Sequence, residues 1–507
     1  MNTILQALAQ RAETTPDAIA FKGYSERTQQ IESISYLTLW VRVKEAAALL
    51  TQLEARCIAL RAENSLGWVI TDLAAMQARI PVVPVPMFFS ETQIVHTLER
   101  SGADVLIGDW HSLQPELLGQ LEGLPLWRNS HAHGAHWLPD SSKITFTSGS
   151  TGQPKGVCLS DEQLAQVSGT LADAIATETR CKTHLILLPL STLLENITGV
   201  YVPMLLGATS VVVPGENVGL SGSSQFNPNQ FAVALSQYQP SSLVLTPALL
   251  MALIHIVTLN PTLARSLEFV AVGGARVTPA LLNKARALGI PAFEGYGLSE
   301  CASVVSLNTP SAHKPGTSGR VLPHVEVKIA DDGEVLVRGN VALGYIGEAF
   351  TQTWLATGDL GHLDAQGFLT INGRKKNQII TAFGRNVSPE WLESEAQVLP
   401  ALHSMVVVGE GQSTLTAVVD SNQPEIVAVS LRKLNAALPD YARIGKVVTL
   451  AGLKQQPGLY TANGRPVRAQ FEHWLAQLPV GGQHTITTNL NDTSNLNHTT
   501  SPHESWG

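Results

Sequence analysis

Residues 145–157 have the sequence TFTSGSTGQPKGV. The apolar and β-branched residues 144–147 predict a short strand, and hydroxyl and glycine residues follow it without a large side chain until Gln153. Backbone N–H groups exposed by glycines, together with hydroxyls and Lys155, favour the oxygens of a phosphate. The alternative is a polar loop between a strand and a helix. Lys155 lies between Pro154 and Gly156, which does not fit the spacing of a P-loop kinase or GTPase.

On both sides of this stretch, helical patterns alternate with short apolar runs. Residues 36–50 carry an apolar stripe with steps of four and three, and residues 66–78 and 91–101 also predict helices. The apolar runs at 185–188, 210–213, 243–245 and 269–272 are typical of parallel strands that are covered on both faces. The sequence therefore predicts a large α/β domain built from layered subdomains.

The pattern changes from about residue 321. Residues 324–330, 334–338 and 368–372 alternate between apolar and polar side chains and are joined by turns, which indicates a small antiparallel barrel or sheet. Residues after 376 predict a small α+β domain, in which Ser388 caps a helix that starts at Pro389. The predicted domains are 1–375 and 376–480, followed by a polar, disordered tail at 481–507.

Composition limits the function classes. The net charge of −8 is spread along the 507 residues, so no nucleic-acid surface is predicted. The four cysteines lack C-x-x-C spacing, which favours a reduced, cytoplasmic setting over a disulfide framework or a structural zinc site. No signal peptide or transmembrane segment is predicted, although peripheral membrane contact stays possible.

Three more motifs can hold parts of a nucleotide. Residues 273–275 (GGA) and 295–300 (GYGLSE) follow predicted strands, where ligands of open α/β sheets bind. Tyr296 could stack on a purine and Glu300 could hold Mg²⁺, or the segment could be a tight turn with a core tyrosine. Residues 357–360 (TGDL) and 373–376 (GRKK) could hold a ribose, although Gly-Asp pairs are common in turns. Residues 461–468 (TANGRPVR) are either a functional turn or an exposed basic loop.

Together and in this order, these motifs resemble the adenylate-forming superfamily of acyl-CoA synthetases, peptide-synthetase adenylation domains and luciferases. The resemblance covers residues 15–478. Within the superfamily the sequence is most similar to long-chain fatty-acyl-CoA ligases, on the evidence of residues 188–196 (LPLSTLLEN), 287–297 and 384–391 (GRNVSPEW).

The resemblance implies that ATP, Mg²⁺ and CoA are used and assigns roles to individual residues. Glu300 would bind Mg²⁺, Lys376 would be the hinge about which a mobile C-terminal domain rotates, and Arg465 would reach the α-phosphate. The phosphate loop would use Thr147, Ser148, Gly149, Ser150, Thr151, Gly152 and Lys155. The nucleoside would be held by Gly274, Ala275, Tyr296, Gly297, Ser299, Asp359 and Arg374.

The sequence departs from the family pattern at three positions. Arg465 stands where the family has a lysine, and a forked guanidinium is not equivalent to an ammonium at a positioned site. We expect slower adenylation from this exchange, with less effect on the thiol step. Thr192 replaces a histidine or aromatic residue near the acyl carboxylate, and Asn377 replaces an aspartate.

Three functions follow as hypotheses. The first is an ATP-dependent ligase that joins a medium- or long-chain carboxylic acid to CoA through an acyl-AMP. The second is an acyl–acyl-carrier-protein ligase or an acyl-AMP former of a biosynthetic pathway. The third, which Arg465 suggests, is a catalytically impaired paralogue that binds nucleotide or acyl groups.

Overall fold

The structure is a computed structural model that describes residues 3–113, 115–134, 137–147, 154–176, 178–179, 181–222, 225–461, 464–478 and 485–488. The chain divides into two compact units. The first contains the described residues up to Asn372 and also Gly464, and the second contains Gly373–Thr461 and the described residues from Arg465 onward. The predicted boundary lies slightly later, between 375 and 376. Gly373 has φ 147°, and a Cβ there would lie 2.2 Å from the Ser388 hydroxyl oxygen, so the chain already packs within the second unit at this point.

The first unit has two large sheets flanked by helices. Ser35, Ser65, Ser90 and Thr246 accept a backbone N–H from the first turn of the helices that they precede, as expected for N-caps. The α-helices are Thr3–Thr14, Tyr36–Gln52, Leu66–Ala78, Glu91–Ser101, Asp161–Ala176, Leu193–Asn196, Val202–Leu206, Pro228–Tyr238, Pro247–Leu259 and Pro279–Ala287, with a π-helix at Ile197–Tyr201.

Each large sheet has nine strands, and its central strands pair in parallel. In spatial order the first sheet contains Arg320–Val321, Ser306–Leu307, Ala292–Tyr296, Phe269–Val272, Ser242–Leu245, Thr183–Leu185, Thr209–Val212, Ile19–Ser25 and Gln30–Ser35. The second contains Glu348–Ala349, Gly344–Tyr345, Lys155–Ser160, Ser141–Thr147, Val82–Pro84, Ile58–Arg61, Val105–Gly108, Leu124–Arg128 and Glu116–Leu121. This arrangement confirms the predicted layered α/β class.

A buried polar cluster lies beneath the strand Ser141–Thr147. The Lys143 ammonium donates to Asp72 Oδ1 (2.6 Å), to Tyr201 Oη (2.8 Å) and to the Asn196 amide oxygen. Tyr201 Oη and Asn196 Nδ2 in turn donate to Asp72 Oδ2, at 2.6 and 3.0 Å. We call Asp72, Lys143, Asn196 and Tyr201 the closed network, because these four side chains satisfy one another inside the apolar core.

The antiparallel region predicted after residue 321 takes the form of a four-stranded sheet. Its strands, in order, are Val325–Ile329, Glu334–Gly339, Leu355–Leu363 and Leu369–Arg374. The side of the sheet that is buried carries Val325, Val335, Val337 and Leu369, which pack with Cys301 and Val305.

Within its described residues, the second unit contains a four-stranded sheet, a short hairpin and three α-helices. The sheet strands are Met405–Val408, Leu415–Val419, Ile444–Thr449 and Thr485–Thr488; the hairpin strands are Ile379–Ile380 and Asn386–Val387; the helices are Pro389–Ala396, Pro424–Ala437 and Arg468–Gln477. Ser388 accepts the Trp391 N–H and Pro389 occupies the first turn, as predicted.

The predicted disordered tail needs one correction. Residues Thr485–Thr488 form an edge strand that pairs antiparallel with Ile444–Thr449. The segment is TITT, and such β-branched residues favour a strand wherever a sheet edge is available. The remaining tail residues lie outside the described part of the chain.

Candidate active site

The predicted phosphate loop joins two antiparallel strands. Thr147 and Lys155 are directly opposite in the register of Ser141–Thr147 and Lys155–Ser160, so they mark the two ends of the loop. This differs from a loop that leads from a strand into a helix. Of the predicted phosphate ligands, Ser148, Gly149, Ser150, Thr151 and Gly152 lie outside the described residues.

Gly156 is required by close packing at the base of the loop. A Cβ at this position would lie 2.6 Å from Ile346 Cδ1 and 3.1 Å from Phe146 Cζ. The neighbouring strand Gly344–Tyr345 pairs with Val157 and Cys158, and Ile346 N donates to Gly156 O at 2.9 Å. The glycine therefore allows the strand that carries Tyr345 to lie against the loop.

Tyr345 brings together two of the predicted functional side chains. Its hydroxyl donates to Glu300 Oε1 at 2.9 Å, and the Lys155 ammonium lies 4.7 Å from the centre of its ring. The Lys155 side chain is exposed and Glu300 is half-buried, so both charges remain accessible. A cation and a carboxylate that contact the same tyrosine form a site that can bind phosphate oxygens and a hard divalent cation. Sequence reasoning missed Tyr345.

The segment that carries Glu300 is fixed by its backbone. A Cβ on Gly297 would lie 1.5 Å from Ser303 O, so any side chain there would displace the turn. Ser299 starts the 3₁₀ turn Ser299–Cys301, and Ala302 and Ser303 follow with φ of 51° and 91°. These two residues in the left-handed conformation turn the chain after the 3₁₀ turn. The Glu300 carbonyl accepts from Ala342 N at 2.8 Å.

The predicted adenine and ribose residues are also joined. Tyr296 Oη donates to Asp359 Oδ2 at 2.6 Å. Burial, and next the adjacent Asp359 carboxylate, raise the pKa of the Tyr296 hydroxyl well above its usual value, so it keeps its proton and acts as a donor. The hydroxyl of Thr357 accepts the Asp359 N–H at 3.1 Å and donates to Val335 O at 2.7 Å.

Gly274 and Ala275 lie just after the strand that neighbours the strand of Tyr296. They follow the strand Phe269–Val272, which pairs in parallel with Ala292–Tyr296, and both are exposed. The carboxyl ends of these two strands thus meet at one edge, as the ligand-binding rule for α/β sheets requires.

Glu294 is a second residue that sequence reasoning missed. It is buried two residues before Tyr296 in the same strand, and Ser318 Oγ lies 3.3 Å from its Oε1. Burial raises the pKa of its carboxyl to about 8, although Ser318, Arg276 and the Val277 N–H oppose the shift. Within a predicted strand, nothing in the sequence distinguishes a buried glutamate from one that faces solvent.

Three predicted residues remain. Arg374 ends the strand Leu369–Arg374, and Lys376 lies exposed in the 3₁₀ turn Lys375–Asn377. Arg465 is exposed, its N–H donates to Thr461 Oγ1 (3.1 Å) and its carbonyl accepts from Thr461 N (2.8 Å). We call these two residues, with the bridged pair Tyr460 and Pro466, the hairpin of Arg465. The exposed side chain is therefore carried on a constrained backbone.

Thr192, the substituted position of the acyl segment, begins the short helix Leu193–Asn196. Its side chain is exposed and makes no capping hydrogen bond to that helix. The adjoining backbone is held instead by Asn64 Oδ1, which accepts from Leu190 N at 2.7 Å, and by the buried Glu195, which accepts from Leu187 N at 3.0 Å.

Comparison with known proteins places the chain in a family. The model of the AMP-binding enzyme family matches residues 8–348. A long-chain-fatty-acid–CoA ligase of Mycobacterium bovis is 30% identical over 428 residues, which cover 69% of this chain and 70% of the relative. A 2-succinylbenzoate–CoA ligase of Enterococcus faecalis is 26% identical over 503 residues, covering 92% of this chain and 97% of the relative.

Solved structures agree with this fold. The o-succinylbenzoate CoA synthetase of Bacillus subtilis in complex with its acyl-adenylate superposes with a TM-score of 0.73 at 23% identity, over 92% of this chain and 97% of that one. An anthranilate CoA ligase in complex with anthranoyl-AMP gives a TM-score of 0.77 at 18% identity, over 94% and 98%.

The fold and site thus define an adenylate-forming type of enzyme. The chain belongs to the AMP-binding enzyme family, within the acyl-CoA ligase superfamily, as the sequence motifs predicted. Among the described residues, none of the helices has the length and apolar character needed to cross a membrane.

Proposed function

We propose that the protein is an ATP-dependent acid–thiol ligase that activates a medium- or long-chain carboxylic acid as an acyl-AMP and transfers the acyl group to CoA. The observation that carries the proposal is the contact of Tyr345 with both Glu300 and Lys155, which joins the phosphate loop to the segment after Tyr296. The long-chain-fatty-acid–CoA ligase that is 30% identical supports the acyl class.

The residues of the first unit suit the adenylation step. Lys155 and Thr147 would hold the β- and γ-phosphates, whose charge must be neutralised before pyrophosphate can leave. Glu300 would hold Mg²⁺, and its carboxylate oxygens are the ligands that this cation prefers. When bound, Mg²⁺ would supply further neutralisation of the phosphate oxygens.

Nucleoside binding would depend on Tyr296 and its neighbours. The Tyr296 ring would stack on adenine, with Gly274 and Ala275 near the edge of the base, and Gly297 and Ser299 would belong to the same nucleotide-binding motif. Asp359 would accept the ribose hydroxyls, assisted by Arg374. Because Tyr296 Oη already donates to Asp359 Oδ2, the carboxylate would be oriented before the ribose arrives.

In the second unit, Lys376 would be the hinge, and Arg465 would stabilise the charge between the attacking carboxylate and the α-phosphate. In the first step a carboxylate oxygen of the acid bonds to the α-phosphorus and pyrophosphate leaves. In the second step the CoA thiol attacks the acyl carbonyl, AMP leaves, and the thiol proton is released to solvent.

One observation favours a second substrate class. The 2-succinylbenzoate–CoA ligase relative aligns over 97% of its length, so an aromatic acid with a second carboxylate is a competing substrate. Transfer to a carrier-protein thiol rather than CoA is a competing acceptor.

The test is acid-dependent release of pyrophosphate from ATP across fatty acids of increasing length and aromatic acids, followed by thioester formation with CoA or with a phosphopantetheinylated carrier protein. We expect release with medium or long fatty acids and transfer to CoA. Release only with 2-succinylbenzoate would assign the second class. ATP binding without release for any acid would overturn the enzymatic proposal.

Arg465→Lys provides a paired test. We expect several-fold faster adenylate formation and little change in thioester formation from supplied acyl-adenylate, since a lysine restores the family's point charge. Unchanged or slower adenylation would show that Arg465 is not a compromised replacement.

A further inference from the structure

The segment around the proposed hinge is attached to the first turn of the helix Pro389–Ala396. Asn377 Nδ2 donates to Glu390 Oε1 at 2.5 Å. A Cβ on Gly373 would lie 2.2 Å from Ser388 Oγ and 3.3 Å from Glu390 Oε2, so the backbone at the start of this segment passes directly over the same turn. The residue that directly follows Lys376 is thus attached to this turn.

The hairpin of Arg465 is attached to the same helix through Arg468. Arg468 follows this hairpin, and its guanidinium contacts both oxygens of Glu393, with Nη1–Oε1 at 2.5 Å and Nη2–Oε2 at 2.8 Å. Arg468 Nη1 also donates to Val407 O at 2.9 Å, and Val407 N donates to Glu393 Oε1 at 2.8 Å. Such a two-pronged contact fixes the direction of the side chain as well as its position.

The two attachments meet at one atom. Glu390 Oε1 accepts from Asn377 and also lies 3.5 Å from Arg468 Nη2. We propose that Glu390 is a positioning residue that couples Asn377, the residue directly after the proposed hinge, to the hairpin carrying Arg465, so that the two move as one body. This inference depends on the proposed function, because it assigns Arg465 to adenylation.

The coupling also accounts for Asn377. An aspartate at this position would place a second carboxylate within hydrogen-bond distance of Glu390, and the two negative charges would repel. An amide instead donates to Glu390 and leaves its charge available to Arg468. The departure from the family's aspartate and the contact with Arg468 are therefore parts of one arrangement.

The experiment measures the two half-reactions separately in variants of the full-length protein. For Asn377→Asp we expect adenylate formation to fall about tenfold, while thioester formation from supplied acyl-adenylate changes less than about twofold. In the double variant that also carries Glu390→Gln, the glutamine amide can donate to the carboxylate introduced at position 377. The repulsion is then removed, but the position that faced Arg468 Nη2 now carries a donor, so the adenylation rate should recover in part, to a value between those of Asn377→Asp and the wild type.

Asn422→Asp is the matched control, since it adds the same charge at an exposed position of the same unit and should leave both half-reactions unchanged. Asn377→Ala, which removes the amide without adding a charge, should lower adenylation less than Asn377→Asp and serves if the aspartate variant fails to fold. Equal loss in both half-reactions, or no recovery in the double variant, would overturn the coupling. No pyrophosphate release by the wild type with any acid would instead overturn the proposed function.

Discussion

The closed network and the candidate ATP site use similar groups in different ways. In the closed network, Lys143 and Asp72 are almost completely buried, and each forms its hydrogen bonds with other members of the network. In the candidate site, Lys155 and Glu300 contact the same tyrosine but keep access to solvent. Removal of one member of a buried, internally satisfied pair destabilises the fold, whereas charged groups that remain accessible can bind a ligand.

Lys143→Ala gives the largest expected effect on stability. It leaves Asp72 buried without its cation, and removing one partner of a buried pair costs about 3–5 kcal/mol. Urea unfolding would measure the loss, and the affinity of the remaining folded protein for ATP should be unchanged. The exposed pair Arg338–Glu326 supplies the control, since Glu326→Gln should cost less than about 1 kcal/mol. An equally small cost for Lys143→Ala would remove the distinction between the two regions.

Gly297→Ala follows in size, because it strains the backbone on which the candidate site is built. The added Cβ would lie 1.5 Å from Ser303 O, and relief requires movement of the whole turn. We expect a loss of about 2–4 kcal/mol together with weaker ATP binding. Gly274→Ala is the comparison. An alanine at the φ of 80° found here would be strained, but its Cβ would meet no atom within 4 Å, so the loss of stability should be smaller. Unfolding curves and ATP titrations of both variants would test this.

The two regions were not equally visible in the sequence. Lys155 and Glu300 stand in motifs whose residue types indicate a chemistry, so the sequence predicts roles for them. Their shared contact with Tyr345 could not be predicted. The members of the closed network carry no motif. Lys143 lies in an otherwise apolar strand, and Asp72, Asn196 and Tyr201 come from other elements, so only the fold shows that they touch.

Element types were predictable because the apolar periodicity is strong, as in the helix Leu66–Ala78 and the strand Phe269–Val272. Ends were less predictable where the apolar run continues past the strand. Residues 185–188 predict a strand, but pairing is limited to Thr183–Leu185, and the chain leaves the sheet although Ile186 and Leu187 stay buried. Burial and strand pairing are separate properties, and apolar runs report only the first.

Glu294 predicts a pH dependence of the free energy of unfolding. It is buried in the strand that carries Tyr296, and burial raises the pKa of its carboxyl from 4.5 to about 8. Between these two pH values the folded state holds a proton that the unfolded state has lost. The contribution of Glu294 to the free energy of unfolding is therefore complete below pH 4.5 and disappears as the pH rises through about 8. Glu294→Gln should remove this dependence. Relative to the wild type, the variant should gain stability between about pH 5 and pH 9 in urea unfolding; a constant difference would contradict the raised pKa.

Tyr345→Phe has the smallest expected effect on stability and isolates the functional side of the comparison. The ring that supports Lys155 and packs against Phe350 at 5.1 Å is retained, and only the hydroxyl that donates to half-buried Glu300 is lost. We expect a stability change of at most about 1 kcal/mol, because water can replace the lost donor. The Mg²⁺ concentration needed for half-maximal pyrophosphate release should shift about threefold, since Glu300 is no longer oriented. Tyr24→Phe, which removes an exposed hydroxyl that donates to Gln29, should change neither quantity. A stability loss without a Mg²⁺ shift would place Tyr345 with the closed network, as part of the structure rather than of the site.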